Sequence, residues 1–205
     1  MPSDVARAES GTSDADLVAR AARGEAGAFD ALFQRHYARV VNLAARLDGN
    51  ADNAEDIAQT AFLRAHLALG RMRDGQSILK WLYRTVVNLV RDRAKMVRRK
   101  PWMAIADLFR PSPDGAEADA EPAILADRSL DPERTVTADL RNEALYRAIA
   151  ALPADFREVV VLHHLEQMDV ADVAETLGVR VGTVKSRLGR ARMRLRDAMK
   201  DWIES

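Results

Sequence analysis

Cysteine is absent from the 205 residues, which excludes a disulfide framework and a thiolate metal site and is compatible with a reducing cytoplasm. No apolar run approaches the length of a membrane span, and the small, polar N-terminus has no signal-peptide core, so membrane insertion is not expected. No segment shows the alternation of a half-buried strand, and no repeat of solenoid length is present. The chemistry of an enzyme is equally hard to find. Only four histidines occur. His163 and His164 are adjacent, so on a helix they diverge by about 100 degrees and chelate one metal poorly. His36 and His66 have no HExxH-type partners, and there is neither a phosphate-binding glycine loop nor a GxSxG elbow. No catalytic residues, no metal and no cofactor are expected. Net charge is lacking too, at a formal value of zero. That sum first argues against nucleic acid, but the charge is strongly segregated along the chain, and distribution decides partners more than the total does.

What is present is helical periodicity, clearest from Asp169 to Met199. Val170, Val173, Ala174 and Leu177 fall at i, i+3, i+4 and i+7, the stripe of a short amphipathic helix. Asp169 stands at its N-cap position with Asp172 three residues on, and Gly178 sits where a helix ends in a left-handed residue. After a tight turn a second helix begins near Val181. With Val184 as origin, Leu188, Ala191 and Leu195 fall within about 40 degrees of it, while Ser186, Gly189, Arg190 and Met193 point the other way. Lys185 and Arg192 flank that outer face on one side, Arg187 and Arg194 on the other. A short helix, a turn and a longer helix with a basic outer face have the form of a helix-turn-helix, whose second helix enters the major groove. Lys185, Ser186 and Arg190 can reach base edges, and the neighbouring cations can neutralise phosphates. An ordinary helical hairpin with solvated charges would share this spacing.

The remainder reads as helices around one change of character. Residues 1–13 form a small, polar tail running up to Ser13, which with Asp16 makes a capping box for a helix ending at Gly24. A longer helix follows from about Ala26 to Leu47, and a third from Asp52 or Asn53 to Leu69 with Glu55 and Asp56 at its positive end. The segment 71–77 is a loop by its Asp-Gly and Ser. The fourth helix runs from Ile78 to about Arg99. Its Leu79, Leu82, Val86, Leu89 and Val90 can face a core, while Lys80, Arg84, Asn88 and Arg91 line another side. Residues 101–138 then carry five of the seven prolines, and eight acidic side chains against Arg110, Arg128 and Arg134. They read as an acidic linker with a short turn at Trp102–Phe109. Helices over Leu140–Ala151 and Ala154–Leu165 lead into the helix-turn-helix. The expected fold is all-α: two small helical domains, 14–100 and 139–205, joined by an acidic, proline-containing linker.

Four segments in order carry a resemblance: AEDIAQTAFLRA at 54–65, WLYRTVVNLVRDRAK at 81–95, ALPADFREVVVLHHLEQMDVADVAETLGV at 151–179 and VGTVKSRLGRAR at 181–192. Through them the sequence resembles a bacterial RNA polymerase sigma factor of the sigma-70 family, extracytoplasmic-function (group 4) type. With the first two helices they cover nearly everything except the tail and linker. The resemblance implies a cytoplasmic protein that directs core RNA polymerase to promoters and assists −10 melting, with residues 14–100 similar to sigma region 2 and 139–205 to region 4. Asp56, Gln59, Phe62 and Leu63 match the segment that docks on core polymerase, where Thr60 replaces a common Glu. Arg73, Asp74, Gln76 and Ser77 match the loop that captures a base flipped from the −10 element. Such a base needs hydrogen bonds on its edge to offset the stacking it loses.

Lys80, Arg84, Asn88 and Arg91 would then track the separated strand, with Trp81 and Tyr83 as aromatics that could stack on bases, although for Trp81 the reading as a core anchor is favoured. Thr183, Lys185, Ser186, Arg187 and Arg190 match the helix that reads the duplex −35 element. Arg180 stands where an N-cap Ser or a Pro is usual, and Gly189 where a bulky side chain is common. The linker would thread the polymerase cleft, and in the free protein its acidity would shield the basic helices. The family often pairs with an anti-sigma factor, a partner expected here as well. The competing reading is a promoter-binding regulator that uses only the terminal helix-turn-helix, but a regulator should also carry a receiver or a ligand pocket.

Overall fold

In the computed structural model, the residues described are 12–72, 77–99 and 136–200. The expected tail, most of the −10 loop (Arg73, Asp74 and Gln76) and nearly all of the linker, with its turn at Trp102–Phe109, lie outside them. Among the described residues there is helix and no strand. The helices in chain order are α1 (Asp14–Ala22), α2 (Ala28–Asp48), α3 (Ala54–Ala68), α4 (Ile78–Arg99), α5 (Val136–Ala150), α6 (Ala154–Val160), α7 (Val170–Leu177) and α8 (Val181–Ala198).

The local causes are visible at the ends of these helices. Ser13 caps α1: its hydroxyl oxygen accepts from the Asp16 backbone N–H at 3.2 Å and donates to the Asp16 carboxylate at 2.6 Å. This joins two of the partners that make a capping box. The corresponding expectation at Asp169 is not met. Asp169 is the N-cap residue of α7 but its side chain makes no capping bond, and Asp172 does not turn back to the helix start but pairs with Lys80 at 2.6 Å. α2 stops at Gly49, whose φ of 76° is a left-handed conformation that costs a glycine little. Here glycine is required twice over, since a Cβ would stand 2.9 Å from Nη1 of Arg157. That guanidinium donates to the Leu47 carbonyl at 3.0 Å, so a side chain of α6 closes the last turn of α2.

α2, α3 and α4 pack on one another around Leu32, Val40, Leu43, Ala58, Ala61, Leu82 and Val86, all fully buried. α6, α7 and α8 enclose Val159, Leu162, Val173, Val184, Leu188 and Ala191. The two groups share one continuous apolar cluster, with α7 laid against α4. α5 begins at Val136, so its first three residues lie inside the segment expected to be linker.

A helix expected over 154–165 does not run through as one. α6 ends at Val160 and the chain widens into a π-type turn over Val161–Leu165. Such widened turns are frequent at functional positions. It is followed by Gln167, the one non-glycine residue with positive φ (57°) among those described. Its amide donates to the His164 carbonyl at 2.7 Å, which partly offsets the roughly 1–2 kcal/mol that a side chain costs in this conformation. Gln167→Gly is therefore expected to raise stability by about 0.5–1 kcal/mol, read as an upward shift of the urea midpoint with unchanged slope.

Candidate nucleic-acid interface

The outward face of α8 follows from its inward one. With Val184, Leu188 and Ala191 buried, Lys185, Ser186, Gly189 and Arg190 are exposed at the helix surface. Ser186 folds its hydroxyl back onto the Thr183 carbonyl at 3.0 Å, and Thr183 is half-buried. Arg187 differs from its neighbours: its guanidinium is largely covered and held by Asp155 at 2.6 Å, so it braces α8 against α6. Arg180 is the N-cap residue and makes no side-chain capping bond. A Cβ built on Gly189 meets nothing within 4 Å. Four residues further along the same face, Met193 is 59% exposed.

On α4 the expected strip also forms. Lys80, Arg84 and Asn88 are exposed and Arg91 is half-buried, while Leu82, Val86 and Val87 on the opposite face are in the core. The Lys80 N–H points at the Ser77 hydroxyl at 3.4 Å, so Ser77, the described residue of the −10 loop set, stands at the start of α4. Arg91 is bound by both carboxylate oxygens of Glu158, at 2.8 and 2.6 Å, and this hydrogen bonding raises its pKa further above the ordinary arginine value. Tyr83 does not stack on bases in this arrangement. It is buried and its hydroxyl donates to the carboxylate of Glu166. Burial first, and then that hydrogen bond, push the phenol well above its usual range. Trp81 is half-buried against the core.

α3 carries a third exposed face. Asp56, Gln59 and Leu63 point outwards, and so does Leu67, which spacing from Leu63 by one helical turn could have revealed. Leu63 is 60% and Leu67 73% exposed, two large apolar side chains one helical turn apart. Phe62 belongs elsewhere. It is 3% exposed, its ring 4.9 Å from Phe33 and 6.4 Å from Phe29, both edge-on. It supports the face from beneath and is not available on it.

Among the described residues no three metal-ligating side chains converge. His163 is committed to the Met168 carbonyl at 2.7 Å, and His164 is pushed below the usual imidazole range by burial, by His163 and by Arg192. No described helix is long and apolar enough to cross a membrane. The described residues offer cationic and amide side chains along two separate helices, and a third face on which Asp56 and Gln59 stand beside two exposed leucines.

The comparisons with known proteins agree with this division. Residues 32–100 match the family described as Sigma-70 region 2, and residues 142–195 match Sigma-70, region 4. The ECF RNA polymerase sigma factor SigM of Mycobacterium tuberculosis is 34% identical over 183 residues, covering 89% of this chain and 83% of the relative. The RNA polymerase sigma-H factor of Pseudomonas aeruginosa is 33% identical, over 87% of this chain and 90% of its own. Among solved structures, CnrH in complex with the cytosolic domain of CnrY superposes with a TM-score of 0.62 at 26% identity, covering 92% of this chain and 97% of that one. The sigma factor RpoE from Bartonella quintana, solved with the anti-sigma factor NepR, gives 0.60 at 24% identity, over 85% and 98%.

Proposed function

This chain belongs to the extracytoplasmic-function RNA polymerase sigma factors and directs core RNA polymerase to promoters in transcription initiation; from that premise we propose which of its surfaces does each part of the work. The strip Lys80, Arg84, Asn88 and Arg91 follows the separated strand of the −10 element by charge and amide contact. The loop of Arg73, Asp74, Gln76 and Ser77 holds a base taken out of the stack. On α8, Lys185, Ser186 and Arg190 read the −35 duplex from the major groove, while Thr183 and Arg187 fix the helix in place. Asp56, Gln59, Leu63 and the newly recognised Leu67 dock on core polymerase. Residues 14–100 and 139–205 act as the two DNA-engaging units, and 101–138 connect them through the enzyme. The protein works in the cytoplasm, where the polymerase is. It catalyses no covalent step: binding energy drives melting. Both solved relatives were captured with a second protein, CnrH with the cytosolic domain of CnrY and RpoE with the anti-sigma factor NepR, and an anti-sigma factor is the regulator we assign to this chain.

The observation that carries the reading is the pair of outward basic strips on α4 and α8, each backed by a buried apolar face. Transcription in vitro from genomic fragments, by core polymerase with and without this protein, tests it. New mapped start sites sharing two spaced elements are expected; no start-site choice conferred on the core enzyme would overturn it. A finer prediction concerns Gly189. Gly189→Ala is expected to stabilise α8 by about 1 kcal/mol and to shift −35 preference in a binding selection, because a methyl then occupies ground open to a base edge. An unchanged preference would remove Gly189 from the specificity set.

A further inference from the structure

α8 carries cations on both flanks of its outer face, and the two flanks differ. On one, Arg187 is held by Asp155 at 2.6 Å, and the Arg194 guanidinium lies over the Phe156 ring, 5.5 Å from its centroid. α6 thus engages both side chains. On the other flank Lys185 and Arg192 are exposed, two turns or about 10 Å apart along the axis. Neither makes an ion pair among the described residues. The π-type turn that ends α6 borders this second flank. It is followed by the left-handed Gln167, whose amide fastens onto the His164 carbonyl at 2.7 Å. The turn sets His163 against His164, ring centroids 4.7 Å apart and planes at 56°. His163 is committed, its Nδ1 donating to the Met168 carbonyl at 2.7 Å. His164 is exposed. Burial, then His163, then Arg192 of α8 favour its neutral form. No carboxylate offsets them. Glu166 turns to Arg39 and Arg46 on α2, and Asp172 of α7 holds Lys80. Asp169 and Glu175, exposed on α7, are not among the groups that act on the ring.

We propose that His164 and Arg192 together take one backbone phosphate of the −35 duplex, and that His164 gains a proton from solvent as it does so. This rests on the assignment of α8 to that duplex. A phosphate is the group that reverses the balance at this edge. It accepts from the guanidinium and from the imidazolium at once, and cancels the repulsion between them. The free protein therefore holds His164 neutral and the DNA-bound protein holds it charged. The affinity gained in this way is present at acid pH and is lost as pH rises through the range in which the bound imidazolium gives up its proton. Duplex binding tightens on acidification across the ordinary imidazole value of about 6.5. Lys185, which nothing in the chain neutralises, serves a neighbouring phosphate at either pH.

The test is titration of a labelled promoter fragment, taken from the mapped start sites, with holoenzyme assembled from core polymerase and the full chain. As pH falls from ~8 to ~6, the wild-type chain is expected to gain about fivefold in affinity over His164→Gln. Its slope of log affinity against log salt should steepen by about one over the same interval, as one more phosphate is neutralised. His164→Arg, charged throughout, should bind at the higher pH about as tightly as wild type does at the lower. The core enzyme is common to all three, so its own pH dependence drops out of the comparison. An equal response to pH in wild type and His164→Gln, or an arginine that fails to tighten binding at the higher pH, overturns the proposal. Lys185→Ala with Arg190→Ala tells this apart from a failed premise. If that pair leaves affinity unaltered, α8 does not read the duplex and the phosphate site falls with it. If the pair weakens binding while His164→Gln keeps the wild-type response, the phosphate site alone is wrong.

Discussion

Leu63→Asp combined with Leu67→Asp is expected to weaken binding to core polymerase by about 100-fold or more, with far-UV circular dichroism and melting temperature unchanged. The two leucines sit one turn apart on α3, at 60% and 73% exposure, so nothing in the chain itself depends on them. Covering such a side chain at an interface is worth roughly 1.5–3 kcal/mol each, and central apolar anchors dominate association energies. Two lost anchors and two desolvated carboxylates together exceed the 2.7 kcal/mol that a factor of 100 represents. Phe62→Ala is the instructive contrast. Its ring is locked among Phe29, Phe33 and Tyr37, so truncation should cost about 3–5 kcal/mol of folding stability, and any loss of polymerase binding would follow from unfolding. Fluorescence titration of labelled core enzyme, run beside thermal melts of both variants, separates the two cases. Wild-type affinity in the double variant would take α3 out of the docking surface.

The contrast between Phe62 and Leu63 also shows how far the letters alone reach. Helix periodicity placed α2, α3, α4, α7 and α8 within a few residues of their ends, because each buries a wide stripe and the stripe repeats with the helix. The same rule assigns a residue to a face only when the stripe is narrow. α3 is alanine-rich on its inner side, with Ala54, Ala58, Ala61 and Ala65 buried, and so many small side chains blur the boundary at which Phe62 turns inwards. Local spacing carries no information on partners distant in the chain. Nothing in residues 80–91 announces that Lys80 and Arg91 meet Asp172 and Glu158, or that Tyr83 lies under Glu166. The π-type turn at Val161–Leu165 is similarly silent, since its widening answers to the packing of Val161 and Leu162 and to a left-handed Gln167, not to a glycine or proline that would have marked it. For the same reason spacing alone does not separate Arg187 from its exposed neighbours: its partner Asp155 is 32 residues away in the chain.

Glu166 is where the second large effect is expected. Its side chain is 3% exposed and faces Arg39, Arg46 and the Tyr83 hydroxyl at once. Removing one member of a buried charged group typically costs 3–5 kcal/mol, because the others are left uncompensated. Arg39 is half in solvent and can rehydrate, so the lower end applies to Glu166→Ala, about 3 kcal/mol or a fall in melting temperature of roughly 6–12 °C for a chain of this size. Tyr83 adds a signature that packing alone would not produce. Burial and the bond to Glu166 hold its phenol above the ordinary value of about 10. The folded state therefore keeps a proton that the unfolded chain gives up on the alkaline side. The stabilisation is complete below pH ~10 and declines as pH rises beyond it, by at most about 1.4 kcal/mol per unit. Tyr83→Phe should lack this alkaline decline while keeping the ring in the core, and Glu166→Ala should reduce it by withdrawing one of its causes. Urea titrations at neutral and alkaline pH measure both; a wild-type slope retained in Tyr83→Phe would assign the alkaline loss to other groups and leave Glu166 bound chiefly by its arginines.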